Sequence, residues 1–301
     1  MDPTVSIDLG RLDVRQLAFF GDAAIRAGDR PLAHKFYKAL MERASRQAHV
    51  VTRAGLPFAS QKLSVEILDL VEHMEVKQRQ VFASQGLITW LKTLPFADDA
   101  RFMELADRYA PLLPIPNWHW NLQTVAWAVE QIRSLEGDLV ELGVFRGHTT
   151  LFVAEYLDFH EWPRRWWLYD TFDGIPEDQL DPGWAESNAS AYRGTFSYEE
   201  VAKRFSHIPN IDVIKGRVPE ILSERCPERI SFIHMDLNNA AAEVQALDFL
   251  FDRLVPGGII VFDDYCWLVS RAQFDAERAW FKARGLSILP IPTGQGVFVK
   301  R

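Results

Sequence analysis

Four apolar runs in the chain each deliver a carboxylate at or near their carboxyl end: Glu141 in 138–144, Asp170 closing 165–170, Asp236 after 230–235, and the pair Asp263-Asp264 after 259–262. Short apolar runs of this kind, alternating with helical patterns, read as buried parallel strands. In an open parallel sheet, ligands bind beyond the carboxyl ends of the strands, where the strand order reverses. Acids on separate strands therefore converge in one cleft. Carboxylates brought together repel one another unless a cation or protons compensate. Asp236, Asp263 and Asp264 accordingly read as ligands of one hard divalent cation, completed by water or substrate oxygens. Such an ion acidifies a bound hydroxyl and holds it for attack. The plainer alternative makes Asp263-Asp264 a polar turn at a strand end.

The elements needed to position these acids are legible around residues 138–150. A strand over 138–144 meets a turn with Gly143, Phe145, Arg146 and Gly147, and a helix follows from Thr149 to Leu157. A helix N-terminus presents free backbone N–H groups, and glycine lets a ligand approach the backbone closely. The spacing Glu141-x-Gly143-x-x-x-Gly147 is not the dinucleotide fingerprint G-x-G-x-x-G. Its acid repels phosphate and suits a cationic or hydroxyl-rich ligand. The stretch resembles the first motif of class I S-adenosylmethionine (SAM) methyltransferases. Asp170, at the next strand end, is placed to accept hydrogen bonds from both ribose hydroxyls, with Thr171 and Phe172 in the turn that follows. Its alternative is to cap that turn. Trp118, His119 and Trp120 stand together, and their rings either roof a cofactor, with Trp120 contacting it, or plug a junction between domains.

Net charge is −8, from 33 basic and 41 acidic residues, which argues against nucleic acid as a partner. Two cysteines, Cys226 and Cys266, supply no disulfide framework and fit a reducing compartment. With no signal-peptide core and no run long enough for a membrane helix, the expectation is a cytoplasmic protein. From residue 138 onward, alternating strands and helices predict an α/β fold of seven strands, at about 138–144, 165–170, 211–216, 230–236, 259–263, 285–291 and 295–299, the last two a terminal pair. Residues 174–196 read as a long binding loop. Residues 12–110 read almost wholly as helix. Leu17, Gly21, Ala24, Gly28, Ala33, Tyr37 and Leu40 match the packing positions of a tetratricopeptide repeat, with 28–31 as its turn. No second copy follows, so a single helical hairpin is the simpler reading. Further helices are expected near 60–84 and 98–110, the first apolar around much of its circumference and suited to a lid or a homo-oligomer face. Three prolines between Pro111 and Pro116 place the domain boundary there: a helical region 1–115 and an α/β domain 116–301.

The spaced set from 121 onward resembles the macrocin O-methyltransferase family, metal-dependent SAM enzymes that methylate sugar hydroxyls of antibiotics. It comprises Asn121-Leu122-Gln123, then 137–147 with Glu141, Gly143, Arg146 and Gly147, then Tyr169-Asp170-x-Phe172-x-Gly174-Ile175-Pro176, His234-x-Asp236, Pro256-Gly257-Gly258 and Asp263-Asp264-Tyr265. The resemblance implies a SAM cofactor held by Glu141, Gly143 and Asp170, magnesium held by Asp236, Asp263 and Asp264, and a small-molecule or glycan acceptor. One position departs. The family reads His-x-Asp-x-Asp-Leu-Tyr, its second Asp serving as general base, whereas this chain reads His234-Met235-Asp236-Leu237-Asn238-Asn239-Ala240. An amide cannot take a proton at neutral pH. Asp236, His234 and Asn238 are therefore the residues expected at the chemistry, with His234 or His148 as the substitute base. Two functions follow: a SAM-dependent O-methyltransferase of a sugar or polyol in a specialised metabolite or surface glycan, or a scaffold with a retired methyltransferase domain.

Overall fold

The computed structural model describes residues 9–29, 31–36, 39, 81–84, 87–90, 92–113, 118–181 and 192–301. The chain divides into two compact units, Met1–Thr93 and Leu94–Arg301. In the first, α1 (Val14–Arg26) begins at a reciprocal cap: Asp13 Oδ1 accepts from Gln16 N at 2.8 Å, and Gln16 Oε1 accepts from Asp13 N at 2.9 Å. Gly28, at φ +75°, turns the chain, and Asp29 Oδ1 caps the helical segment 31–36 through Leu32 N at 3.0 Å. Leu17, Ala24, Ala33 and Phe36 form the core between the two segments. Among the described residues this is a single helical hairpin; Tyr37 and Leu40 lie outside them.

The rest of the helix expected near 60–84 also lies outside them, but its end is strand. β1 (Val81–Ser84) pairs antiparallel with β2 (Leu87–Trp90), Val81 opposite Trp90 and Ser84 opposite Leu87. Val81, Phe82, Ile88, Thr89 and Trp90 favour a pleated surface, and two residues ending in Gly86 separate the runs. That hairpin signal was hidden by the helical pattern before it.

The second unit starts at Leu94, ahead of the boundary expected at 115/116. Its α2 (Ala100–Tyr109) is capped by Asp99, which accepts from Phe102 N at 2.9 Å. α3 (His119–Gln131), β3 (Asp138–Leu142) and α4 (His148–Tyr156) follow. α2 belongs here because it packs on α4: Phe102 meets Phe152 edge-on at 4.7 Å, and Tyr156 donates to Asp99 Oδ2 at 2.6 Å.

The remaining elements are β4 (Trp166–Asp170), α5 (Tyr198–Phe205), β5 (Ile211–Lys215), β6 (Ile230–Met235), α6 (Ala240–Leu250), β7 (Leu254–Phe262), α7 (Arg271–Ala283), β8 (Leu289–Pro290) and β9 (Gly296–Val299). The sheet order is β5-β4-β3-β6-β7-β9-β8. β3 to β7 are parallel, and β9 runs antiparallel to its neighbours. β7 begins earlier than the expected residue 259, and the expected strand 285–291 shrinks to two residues. Every residue of β6 is buried, as a central strand covered on both faces requires. The order reverses between β3 and β6, so the carboxyl ends of these two strands flank the crevice. Among the described residues, no helix is long and apolar enough to cross a membrane.

Candidate functional site

Strain marks this edge of the sheet. Three non-glycine residues in left-handed backbone stand just past strand ends: Phe145 (φ +50°) after β3, Phe172 (φ +53°) after β4 and Asn238 (φ +58°) after β6. Such conformations are unfavourable for most L-residues and concentrate where function over-determines the backbone. The two turns nearest β3 are tied together by Asp170. Its Oδ2 accepts from Val144 N at 2.8 Å and Phe145 N at 2.9 Å, and its Oδ1 accepts from Phe172 N at 2.7 Å. Thr171 Oγ1 donates to Gly174 O at 2.7 Å and closes the second turn. Asp170 thus shapes both turns from within; most of its acceptor capacity goes to backbone, and the turn-capping role is the one the geometry shows. Gly143 (φ +85°) has no room for a side chain, since an added Cβ would lie 1.8 Å from Asp236 O. A cavity of about 420 Å3 opens beyond Asp170, lined by Thr171, Asp173, Gly174, Ile175, Pro176, Glu177 and Arg193. Asp170 itself is not on its wall, which carries the neighbouring Thr171 and Asp173.

Glu141 does not reach it. Its carboxylate, 2% exposed, accepts from Thr150 Oγ1 and lies 2.9 Å from His234 Nδ1. His234 is 1% exposed, and its Nε2 stands 3.5 Å from Asp263 Oδ1, an ion-pair separation beyond a good hydrogen bond. Asp263 Oδ1 also accepts from Asn121 Nδ2 at 3.1 Å and Gln295 Nε2 at 2.8 Å. Burial opposes charge on His234, but the Asp263 and Glu141 carboxylates outweigh it and raise the imidazole well above its ordinary value. His234 is therefore an imidazolium clamped between two strands, the opposite of a free base. His148 is different: burial holds it down at about 4, so it is neutral at pH 7, and its Nε2 lies 3.0 Å from Thr149 Oγ1.

The acids after β6 and β7 do gather. Burial, then Asp263 and Asp264, push Asp236 well above the carboxylate range; burial, then Asp263 and Glu243, do the same to Asp264. Asn238 Nδ2 donates to Asp236 Oδ1 at 3.1 Å. The same three carboxylates, after burial, raise the phenol of Tyr192, whose ring stands edge-on to Phe145 at 5.3 Å. Among the described residues, no three Asp, Glu, His or Cys side chains are arranged to enclose a metal ion. The chemistry of the donors nevertheless fits a hard cation, because one buried and two half-buried carboxylates repel one another.

Two expectations are placed differently. The contact shown for the Trp120 ring is with Phe96, edge-on at 4.9 Å, and His119 lies against Phe96 and Phe102, so these rings pack the junction beneath α2. Glu141 is a buried structural acid rather than a ligand-facing one. The residues missed are Asn121, Thr150, Tyr192, Glu243 and Gln295. Asn121 sat in a motif already noticed and Tyr192 in the long loop, whereas Thr150, Glu243 and Gln295 carry no local signal.

Fold and edge together define a class. The seven-stranded sheet with an antiparallel terminal pair is that of class I SAM-dependent O-methyltransferases. The O-methyltransferase NovP aligns with a TM-score of 0.51 at 22% identity, over 60% of this chain and 79% of that one. The calicheamicin methyltransferase CalS11 aligns at 0.50 and 19%, over 67% and 93%. The chain belongs to the macrocin O-methyltransferase family, whose model matches residues 119–286. The 8-demethyl-8-(2,3-dimethoxy-alpha-L-rhamnosyl)-tetracenomycin-C 4'-O-methyltransferase of Streptomyces olivaceus is 30% identical over 155 residues, 48% of this chain and 59% of that protein. The mycinamicin III 3''-O-methyltransferase of Micromonospora griseorubida is 30% identical over 141 residues, 43% and 56% respectively. The chain thus spans less than two thirds of the length of the curated relatives it matches.

Proposed function

We propose that the chain transfers a methyl group from SAM to a hydroxyl of a sugar or related polyol carried by a specialised metabolite or surface glycan. The observation that carries this reading is the acid cluster Asp236, Asp263 and Asp264 standing beside a strained glycine turn at the point where the strand order reverses. The relatives support the acceptor class, since one name specifies a 4'-O position on a rhamnosyl-tetracenomycin. SAM supplies the activated methyl group. Gly143 and Gly147 let the turn pack against Asp236 O and the Phe205 ring, Asp170 holds the two turns that frame the cofactor, and Thr171 and Asp173 offer a hydroxyl and a carboxylate on the cavity wall. The sulfonium cation of the donor would meet this acidic edge, where it favours the charged form of the carboxylates.

A divalent cation, Mg2+ or a similar ion, held by Asp236, Asp263 and Asp264, would supply Lewis-acid activation of the acceptor oxygen. Asn238 then orients Asp236, and the His234 clamp fixes Asp263. A second reading rests on the raised position of Asp236 and Asp264: a carboxylate with heightened proton affinity is, while ionised, a stronger base than an ordinary one. The two roles exclude one another for Asp236, because a cation would draw its proton affinity down.

The test is transfer of labelled methyl from SAM to methyl α-L-rhamnopyranoside, with SAM affinity measured by calorimetry. Asp170→Ala, which frees three backbone N–H groups in the turns, is expected to weaken SAM binding by about ten- to a hundredfold. Activity that disappears with chelator and returns with Mg2+ supports the cation. Full activity in chelator assigns the proton to Asp236. A chain that binds no SAM is the scaffold.

A further inference from the structure

Glu243, Gln273 and Glu277 are each at most 2% exposed, which is costly for groups that carry or share charge. They stand on α6 and α7. Glu243 Oε1 accepts from Gln273 Nε2 at 3.0 Å and from the backbone N–H of Leu237 at 3.0 Å. Glu277 is the hydrogen-bonding partner of the same carboxylate. Burial and the adjacent Glu243 charge push Glu277 well above its ordinary value, and burial raises Glu243 as well, so the pair favours sharing a proton.

Leu237 lies between Asp236 and Asn238, and its surroundings are constrained on every side. Asp236 N donates to Leu142 O at 2.8 Å, and Asp236 O presses against the space above Gly143. Asn238 is left-handed, Asn239 Oδ1 caps α6 through Ala242 N at 2.7 Å, and Asp181 Oδ2 accepts from Ala240 N at 2.8 Å. Within this turn the Leu237 N–H is satisfied by a side chain that has no packing reason to be charged.

We propose that Glu243, backed by Gln273 and Glu277, is a positioning residue that sets the 236–239 turn and with it the place of Asp236 relative to Asp263 and Asp264. The proposal rests on the methyl-transfer reading for its kinetic consequence, and on the hydrogen bond to Leu237 for its structural one. Removing an acceptor from the turn displaces a carboxylate and an amide at the chemistry, while the Asp170 hydrogen bonds to Val144, Phe145 and Phe172 are retained. Catalysis falls steeply when reacting groups shift by about an ångström.

The experiment uses the full chain with SAM and methyl α-L-rhamnopyranoside, comparing E243A, E243Q and E277L. E243A is expected to lower kcat by about ten- to a hundredfold with SAM affinity unchanged. E243Q keeps an oxygen for Leu237 N–H and recovers most of the turnover. E277L, which removes the donor behind Glu243, lowers kcat less than E243A and gives the answer if E243A does not fold. E243Q as poor as E243A, or SAM affinity falling in parallel with kcat, overturns the proposal. If the wild type binds SAM but does not methylate the rhamnoside, the acceptor reading fails on its own account. The positioning role is then decided by crystal structures: a 236–239 turn displaced in E243A and retained in E243Q upholds it, and a turn unmoved in E243A overturns it.

Discussion

Glu141 and His234 are direct partners across β3 and β6, and their side chains meet at 2.9 Å in the interior of the sheet. A one-residue slip in either strand would turn one of them to the opposite face, so the pair records the register of the two strands that flank the crevice. With Asp263 on β7's end, the imidazolium ties three adjacent elements together.

Breaking this clamp leaves an uncompensated buried charge, which costs about 3–5 kcal/mol. His234→Gln and Glu141→Leu are each expected to lose stability on that scale in urea denaturation at pH 7. His234→Gln should lose activity only in proportion to the folded protein that remains. A variant that stays fully stable yet loses all turnover would return His234 to the role of base.

Asp99 provides a pH-dependent fastening at the other side of α4. Hydrogen bonds from Tyr156 and then Phe102 N lower its carboxyl below the ordinary value, and Tyr156 is pushed up to about 12, by burial and then by Asp99. A depressed carboxyl contributes stability above its unfolded pKa, about 3.9, and loses it as pH falls through the folded value. Asp99→Ala, which removes the cap of α2, is expected to cost about 1 kcal/mol at pH 7. The gap should hold down to about pH 4 and shrink below it. A gap that instead closes between pH 7 and pH 5 would assign the effect to another group. Thermal melts of both proteins across that range decide it.

The sheet was readable because its strands are buried on both faces and so appear as continuous apolar runs with a polar residue at the end, as in 230–236 and 138–144. The convergence of Asp236, Asp263 and Asp264 followed from that pattern alone. What the pattern could not give was direction. Glu141 has the same position relative to its glycine whether it faces a ligand or a neighbouring strand, and only the register opposite His234 decides. Asp170 likewise reads identically as a ribose acceptor or a turn cap, because both need one carboxylate at a strand end. Trp120 was ambiguous for want of its partner, Phe96, which lies on a short segment that helical periodicity did not separate from the region before it. Glu243 gave no signal, since its role depends on a backbone N–H six residues away.

Asn238 is where the chain departs from its family, and its backbone explains part of the choice. At φ +58°, Asn, Asp and Gly are tolerated far better than other residues. Asn238→Asp is therefore expected to fold, but it removes the donor to Asp236 Oδ1 and adds a fourth carboxylate to the cluster. In chelator this variant should be less stable than the wild type by about 1–3 kcal/mol. A cation bound by the native state stabilises it by about 2.7 kcal/mol at a hundred times its Kd, and a site with one more acid binds it more tightly. Mg2+ should then narrow the gap, or reverse it, and turnover at neutral pH should rise as an acid returns to the family's base position. Asn238→Ala provides the comparison: it loses about 1–2 kcal/mol through the left-handed backbone and adds no charge, so its deficit should be indifferent to Mg2+. Melting curves of the three proteins with chelator and with excess Mg2+ separate these outcomes. If the Asn238→Asp deficit is the same in both buffers, the cluster does not hold a divalent ion, and the proton of the acceptor hydroxyl passes to Asp236.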